Sequence, residues 1–246
     1  MKEDDNILAR IREILGSSST NFSILEHQVD IKLQMEYFEY SKSRKDTRAP
    51  EHILSDEAKL YDNDISLEDK KTLLVRLASV EKPEAYRILE RFMADAPVEL
   101  RDWAIMATQE SRMLLETHLL DEQQVYISTG LGGKDGKLRY FIVAFSEDEM
   151  PFTPSQRKLI ESEFSYSLRL NESEVEKLEF YDTYFTLVVL VPLSVKVRLP
   201  FQMAIDECNS LGRFIKDAFI ITNVKELDEF EIDEIVRNPP SMENDQ

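Results

Sequence analysis

The sequence predicts an α+β protein in two parts, a helical half followed by a half in which strands and helices alternate. Three observations carry this. From Leu67 to Leu119 apolar residues recur at helical spacing. From Leu138 onwards, runs of aromatic and β-branched residues alternate with helical stripes. Between the two, four of the chain's six glycines fall in one short stretch, Ser128 to Lys137. Glycine used this sparingly marks places where the backbone must reach positive φ or approach something closely.

The first helix is expected over Ile7, Ile11, Ile14 and Leu15, with Gly16 as its left-handed cap and a polar break from Ser17 to Asn21. The next run reads two ways. Val29, Ile31, Leu33, Met35 and Tyr37 alternate as in a strand, whereas Phe22, Leu25, Val29, Leu33, Tyr37 and Tyr40 make a helical stripe. The abundance of Glu, Gln, Lys, Leu and Met favours helix. Residues 41–66, with Pro50, read as a loop carrying at most a turn of helix. Lys42, Arg44, Lys45 and Arg48 form a basic cluster there, which reads as a solvated loop before it reads as a binding patch.

Three helices follow. Leu73, Leu74, Leu77 and Ala78 mark one, Pro83 opens a second with Ala85, Ile88, Leu89 and Phe92 inward, and Pro97 opens a third through Leu100, Trp103, Ala104, Ala107, Met113 and Leu114. Short turns between them imply antiparallel packing. The segment Asp95-Ala96-Pro97-Val98-Glu99-Leu100-Arg101-Asp102-Trp103-Ala104 resembles a HEAT-type repeat, in which a turn with Asp and Pro precedes a helix carrying Arg and Ala. The resemblance covers residues 67–119 and implies a HEAT-like hairpin used for protein contacts. An ordinary helical bundle is the alternative.

Downstream, Val125 to Thr129 reads as a short strand and Leu138 to Phe145 as a longer one. Thr153-Pro154 starts a helix with Leu159, Ile160, Phe164 and Leu168 inward. Val175 to Phe180 and Thr183 to Val191 pair around Tyr181-Asp182. Pro200 opens a helix capped by Gly212, Ala218 to Val224 is a last strand, and Phe230, Ile235 and Val236 support a short acidic helix. From Leu138 the order strand, helix, strand, strand, helix, strand resembles a ferredoxin-like α/β sandwich, with Val125 to Thr129 as one extra strand. The first strand of such a sheet is central, so the extra strand cannot simply pair with it as a hairpin. The expected division is a helical domain over 1–120, an α+β domain over 121–237 and a disordered tail over 238–246.

Composition limits function. With 30 Lys and Arg against 48 Asp and Glu, net charge −18, the chain repels polyanions, which excludes nucleic acid and anionic membranes as expected partners. Cys208 is the only cysteine and sits on the apolar stripe Phe201, Ala204, Ile205, Cys208, Leu211. An intramolecular disulfide and a multi-cysteine zinc site are thereby excluded, and a buried, inert thiol is expected. No apolar signal core or membrane-length run occurs, so a cytoplasmic location is expected.

The glycine stretch is the best ligand candidate. Ser128, Thr129, Gly130, Gly132 and Gly133 supply backbone N–H groups, and Lys134, Lys137 and Arg139 supply charge for a small anion. It is not a phosphate loop: Gly130 and Gly136 are one residue too far apart, Leu138 stands where Ser or Thr would touch magnesium, and a strand follows in place of a helix. A glycine-rich connection between two strands is the plainer reading. His27, His52 and His118 show no paired-ligand spacing, no nucleophile elbow occurs, and Glu161, Glu163, Glu174, Glu176 and Glu179 read as solvated faces. The acidic 226–234 segment reads as a helix packed on its own domain or as a dock for a basic partner. Catalytic residues, metal ligands and cofactors are therefore expected to be none. The expected function is a non-enzymatic protein-interaction or adaptor module, and the alternative is a small-anion-binding regulatory domain using residues 128–139.

Overall fold

A computed structural model describes residues 21–43, 49–120 and 124–238. The expected helix over residues 7–15, the basic residues Arg44, Lys45 and Arg48, and the tail from residue 239 lie outside them. The protein is α+β, and its chain divides into two compact units. The first runs to Ile127 and the second carries Ser128 onwards.

The first unit is built on helices. It contains β1 (Asn21–Ile24), α1 (Ile31–Ser43), α2 (Pro50–Ser55), a short 3₁₀ turn at Glu57–Leu60, α3 (Leu67–Ala78), α4 (Pro83–Ala94), α5 (Val98–Leu120) and β2 (Gln124–Ile127). Ser66 caps α3 by accepting the Asp69 N–H at 3.1 Å, and Pro83 stands at the start of α4. Leu74, Leu77, Leu89, Phe92, Leu100 and Ala104 meet in one core around Trp103, which is 1% exposed. The Trp103 ring packs edge-on against Tyr37 and Tyr40 at 5.2 and 5.4 Å, and its N–H donates to the Lys71 carbonyl at 3.2 Å. That one donor is the only polar demand the indole makes in an apolar interior.

The alternating residues from Ile31 to Tyr37 that read as a strand are helix, and the strand of this region lies earlier, at residues 21–24. Phe22 lies in β1; Asp30 then accepts the N–H groups of Lys32 and Leu33 at 2.8 and 3.3 Å and starts α1. The helix reading fails for residues 22–30, because a strand and the irregular segment after it, with Leu25 and Val29 buried, reproduce a helical spacing of apolar residues. The expected loop over 41–66 contains the end of α1, all of α2 and the 3₁₀ turn, anchored by buried Ile53 and Leu60.

The extra strand belongs elsewhere. β2 pairs in parallel with β1, Asn21 opposite Gln124 through Ile24 opposite Ile127, and the Leu25 N–H continues the ladder to the Ile127 carbonyl at 3.0 Å. The seam between the units therefore falls after residue 127, later than the expected 120.

The second unit contains β3 (Gly133–Lys134), β4 (Lys137–Ser146), α6 (Pro154–Leu170), β5 (Glu174–Phe180), β6 (Tyr184–Pro192), α7 (Leu199–Ser210), β7 (Ile215–Thr222) and α8 (Glu229–Arg237). The sheet is antiparallel, in the order β5-β6-β4-β7. β4 and β6 are buried along most of their length, which is why they read as continuous apolar runs. One face packs on α6 and α7, with Phe164 meeting Phe185 at 5.2 Å and Phe201 meeting Phe219 at 6.0 Å. On the other face Phe141, Val143 and Val188 pack against Leu131 and against Ile232 of α8. Cys208 is fully buried and its thiol is pushed up to about 12, by burial first and then by Glu163 and Glu207. No helix among the described residues is long and apolar enough to cross a membrane.

Candidate functional site

The glycine segment solves a problem of shared space along β4. β7 pairs with β4 from Phe141 to Ser146, and β3 takes the same edge at Lys137 and Leu138. The two neighbours meet where Gly130 passes the carbonyl of Val224. A Cβ at residue 130 would overlap that oxygen, so only glycine fits. The Leu131 N–H donates to the Asn223 carbonyl at 3.0 Å, the Gly132 N–H to Thr129 at 3.2 Å, and the Arg139 N–H to Gly132 at 3.0 Å. The Thr129 hydroxyl also donates to the Gly132 carbonyl, at 3.2 Å. Leu131 is fully buried. Asp135 and Gly136, at φ +50° and +75°, form the tight turn of the β3–β4 hairpin.

The cations of the segment are placed on the surface of the sheet. Lys137 pairs with Glu174. The Arg139 guanidinium donates to Glu176 at 3.0 Å and to the Leu131 carbonyl at 2.8 Å, and its hydrogen bonding first, then its charge, lowers the Glu176 carboxyl below the ordinary range. Lys134 is exposed beside them, and Ser128 is half-buried at the start of the segment. The eight residues proposed from sequence are thus brought together, as a brace between β4 and the β7–α8 connection.

A cavity lies in the first unit. Residues Met106, Met113 and Leu114 of α5, Phe38 of α1 and Tyr126 of β2 line a mainly apolar groove of about 440 Å3, within the range of ligand sites. Its polar edge is organised. Glu110 accepts the Tyr37 hydroxyl at 2.5 Å and the Ser41 hydroxyl at 2.9 Å, while the Gln109 amide donates to the Ser23 hydroxyl at 2.7 Å. The Tyr126 hydroxyl is buried with no hydrogen-bond partner among the described residues. Burial raises both tyrosines well above their ordinary value, with the Glu110 charge a second cause at Tyr37, so both hydroxyls stay protonated at neutral pH. Of the two, only Tyr126 lines the groove; Tyr37 lies in the core beneath it and holds Glu110 at its edge.

Sequence reasoning assigned Met113 and Leu114 to the helical core and missed the groove. The signal was present as Met106, Met113, Leu114 and Thr117, a second stripe displaced from the one facing α3 and α4. Elsewhere, among the described residues no three His, Cys, Asp or Glu side chains converge to hold a metal ion, and His118 lies 3.9 Å from Glu81.

No protein-family model matches the chain, and no curated protein does. Among solved structures, a putative transposase from Deinococcus radiodurans R1 aligns at 14% identity over 42% of this chain and 90% of its own, with a TM-score of 0.36. A REP-associated tyrosine transposase bound to a REP hairpin aligns at 10% identity over 42% and 69%, TM-score 0.29. A homoserine dehydrogenase from Thiobacillus denitrificans aligns at 10% identity over 52% of this chain and 29% of its own, TM-score 0.26. Likenesses this remote carry no functional information.

Two predictions follow from the brace. Gly136→Ala meets no neighbour but forces a side chain into positive φ, at a cost of about 1–2 kcal/mol; Gly130→Ala costs more, because the Val224 backbone has to move. Urea denaturation of the two variants checks the order. Glu176 has its carboxyl pKa lowered by folding, so its contribution is complete above the ordinary glutamate range and is lost as pH falls through the lower folded value. Glu176→Gln is therefore expected to reduce the difference between denaturation midpoints measured at about pH 7 and about pH 3.

Proposed function

We propose that this protein is a non-enzymatic protein-interaction module, an adaptor whose helical unit receives an apolar segment of a partner. The observation that carries the reading is the α5 groove: mainly apolar, open on one side, and lined by two methionines. Methionine is flexible and polarizable and adapts to varied apolar shapes. An amphipathic helix laid in such a groove buries its apolar face at helical spacing. Glu81 and Glu110 at the margin, in a chain of net charge −18, favour basic residues flanking that face.

The finer fold readings belong with this proposal. We read α3, α4 and α5 as a HEAT-like arrangement, supported by their short connecting turns and shared core. The second unit we read as ferredoxin-like, supported by its strand–helix–strand–strand–helix–strand order and by β4 and β6 at the centre of its sheet. A cytoplasmic location goes with this reading; its support is compositional, a lone cysteine and a strongly acidic chain. The same charge argues against nucleic acid and anionic membranes as partners.

The small-anion alternative at residues 128–139 finds less support. Lys137 and Arg139 already face Glu174 and Glu176, and several amides of the segment are spent on its own fold. Affinity purification from native lysate tests the adaptor reading with the full chain and its Leu114→Glu variant. A stoichiometric partner retained by the first, lost by the second and cross-linked to α5 is expected. Recovery of no such partner, or equal recovery by both, contradicts it.

A further inference from the structure

The second unit holds a cleft that the adaptor reading leaves unused. It opens at the end of the sheet beneath α8, with a volume of about 750 Å3. Its floor is aromatic. Tyr181 and Tyr184, flanking the β5–β6 turn, stack face to face with centroids 4.6 Å apart and planes inclined by 15°, and Phe145 of β4 lies 6.2 Å from Tyr184. Its roof is the inner stripe of α8, where Glu229, Ile232, Asp233 and Val236 recur at helical spacing. Ile232 packs on the sheet face beside Phe145 and Tyr184 and fixes the stripe in place, so that Glu229 and Asp233 lie near enough for their charges to act on Tyr184.

Charge in the cleft is one-sided. Four carboxylates line it, Glu149, Asp182, Glu229 and Asp233, against one ammonium, Lys216. Lys216 is matched by Glu149 at 3.3 Å, and Asp233 is shared with Arg237 at 3.1 Å on the outer side of the helix. Glu229 and Asp182 have no cationic partner among the described residues. The Tyr184 hydroxyl registers this: its pKa is raised by burial first, and then by the charges of Glu229, Tyr181 and Asp233. The nearby N-terminus of α8 is unfavourable to an anion, because the Asp228 and Glu231 carboxylates form a capping box there and take the N–H groups of those two residues.

An aromatic wall with carboxylates opposite is complementary to a cation that has a flat, weakly hydrated body. A guanidinium meets that description: it stacks on aromatic faces and takes carboxylates through a planar fork. An ammonium is a compact point charge with a tighter hydration shell and gains less from the rings. We propose that the cleft between α8 and the β5–β6 turn is a guanidinium site, one that takes an arginine side chain or a small free guanidinium compound. This site is separate from the α5 groove and does not depend on it.

The test uses the isotope-labelled full chain and follows backbone amide shifts during titration. The probes are Nα-acetyl-arginine amide, the matching citrulline amide, and the blocked tripeptide Gly-Arg-Gly. Saturable shifts centred on Phe145, Thr183, Tyr184 and Asp233 are expected with both arginine probes and not with neutral citrulline. Tighter binding of the tripeptide identifies a polypeptide as the source, and equal binding a free small molecule; either upholds the site. Replacing Glu229 with Gln and Asp182 with Asn, both exposed positions that leave the core intact, is expected to weaken binding about tenfold or more. Leu114→Glu in the groove is expected to leave the titration unchanged. Absence of saturable shifts, equal response to citrulline, or indifference to the Glu229→Gln and Asp182→Asn pair would overturn the proposal.

Discussion

The parallel pairing of β1 with β2 is the constraint from which the rest of the helical unit's functional geometry follows. It joins residues 21–24 to residues 124–127, across nearly the whole length of that unit, in four register pairs and one continuing hydrogen bond. Closing so long a loop costs conformational entropy, and an isolated two-stranded ladder does not supply enough to offset it. The helices do. Leu25 and Val29, immediately after β1, are buried in the same core as Trp103 and Tyr37, so the strand is held by the packing of the chain that follows it. The pairing in turn carries Tyr126 to the α5 groove, where its ring meets Phe38 edge-on at 6.0 Å.

In the second unit the corresponding constraint is the edge of β4. Two segments share it, β3 and β7, and their junction has room for a backbone without a side chain at residue 130. The segment after the junction returns Leu131 to the sheet face that Ile232 also covers, so the brace and α8 seal one patch of core together. Two of the three cations around the brace are paired, Lys137 with Glu174 and Arg139 with Glu176. At the opposite end of the strands the balance differs, and carboxylates outnumber cations around the tyrosine pair. Exposed ion pairs contribute little to stability, so these differences speak mainly to what each surface attracts.

What the sequence made legible was local. α3 and α4 announced themselves through Pro83 and a strong apolar stripe, although the Ser66 cap of α3 went unread; α6 did so through Thr153-Pro154, which forms a complete capping box with Gln156. β4 and β6 were plain because burial on both faces fills them with apolar residues. Partnership was not legible. Nothing in Val125-Tyr126-Ile127 says that its neighbour lies a hundred residues upstream, and Phe22, Leu25 and Val29 satisfy a helical spacing while lying in a strand and the irregular segment after it. The glycines were visibly special, but their reason, two strands contending for one edge, exists only in three dimensions. The α5 groove and the tyrosine cleft were hidden for the same cause: Met113 reads as core and Tyr181 as turn until their neighbours are known.

Native-state hydrogen exchange on the full chain tests most directly whether β2 belongs to the helical unit. The Leu25 amide, which bonds to Ile127 across the ladder, reports on that pairing alone. The account predicts that it opens with the amides of α3 and α5, at the same free energy and with the same denaturant dependence. Exchange of Leu25 in step with β4 and β6, or with no protection while α3 and α5 remain closed, would contradict it.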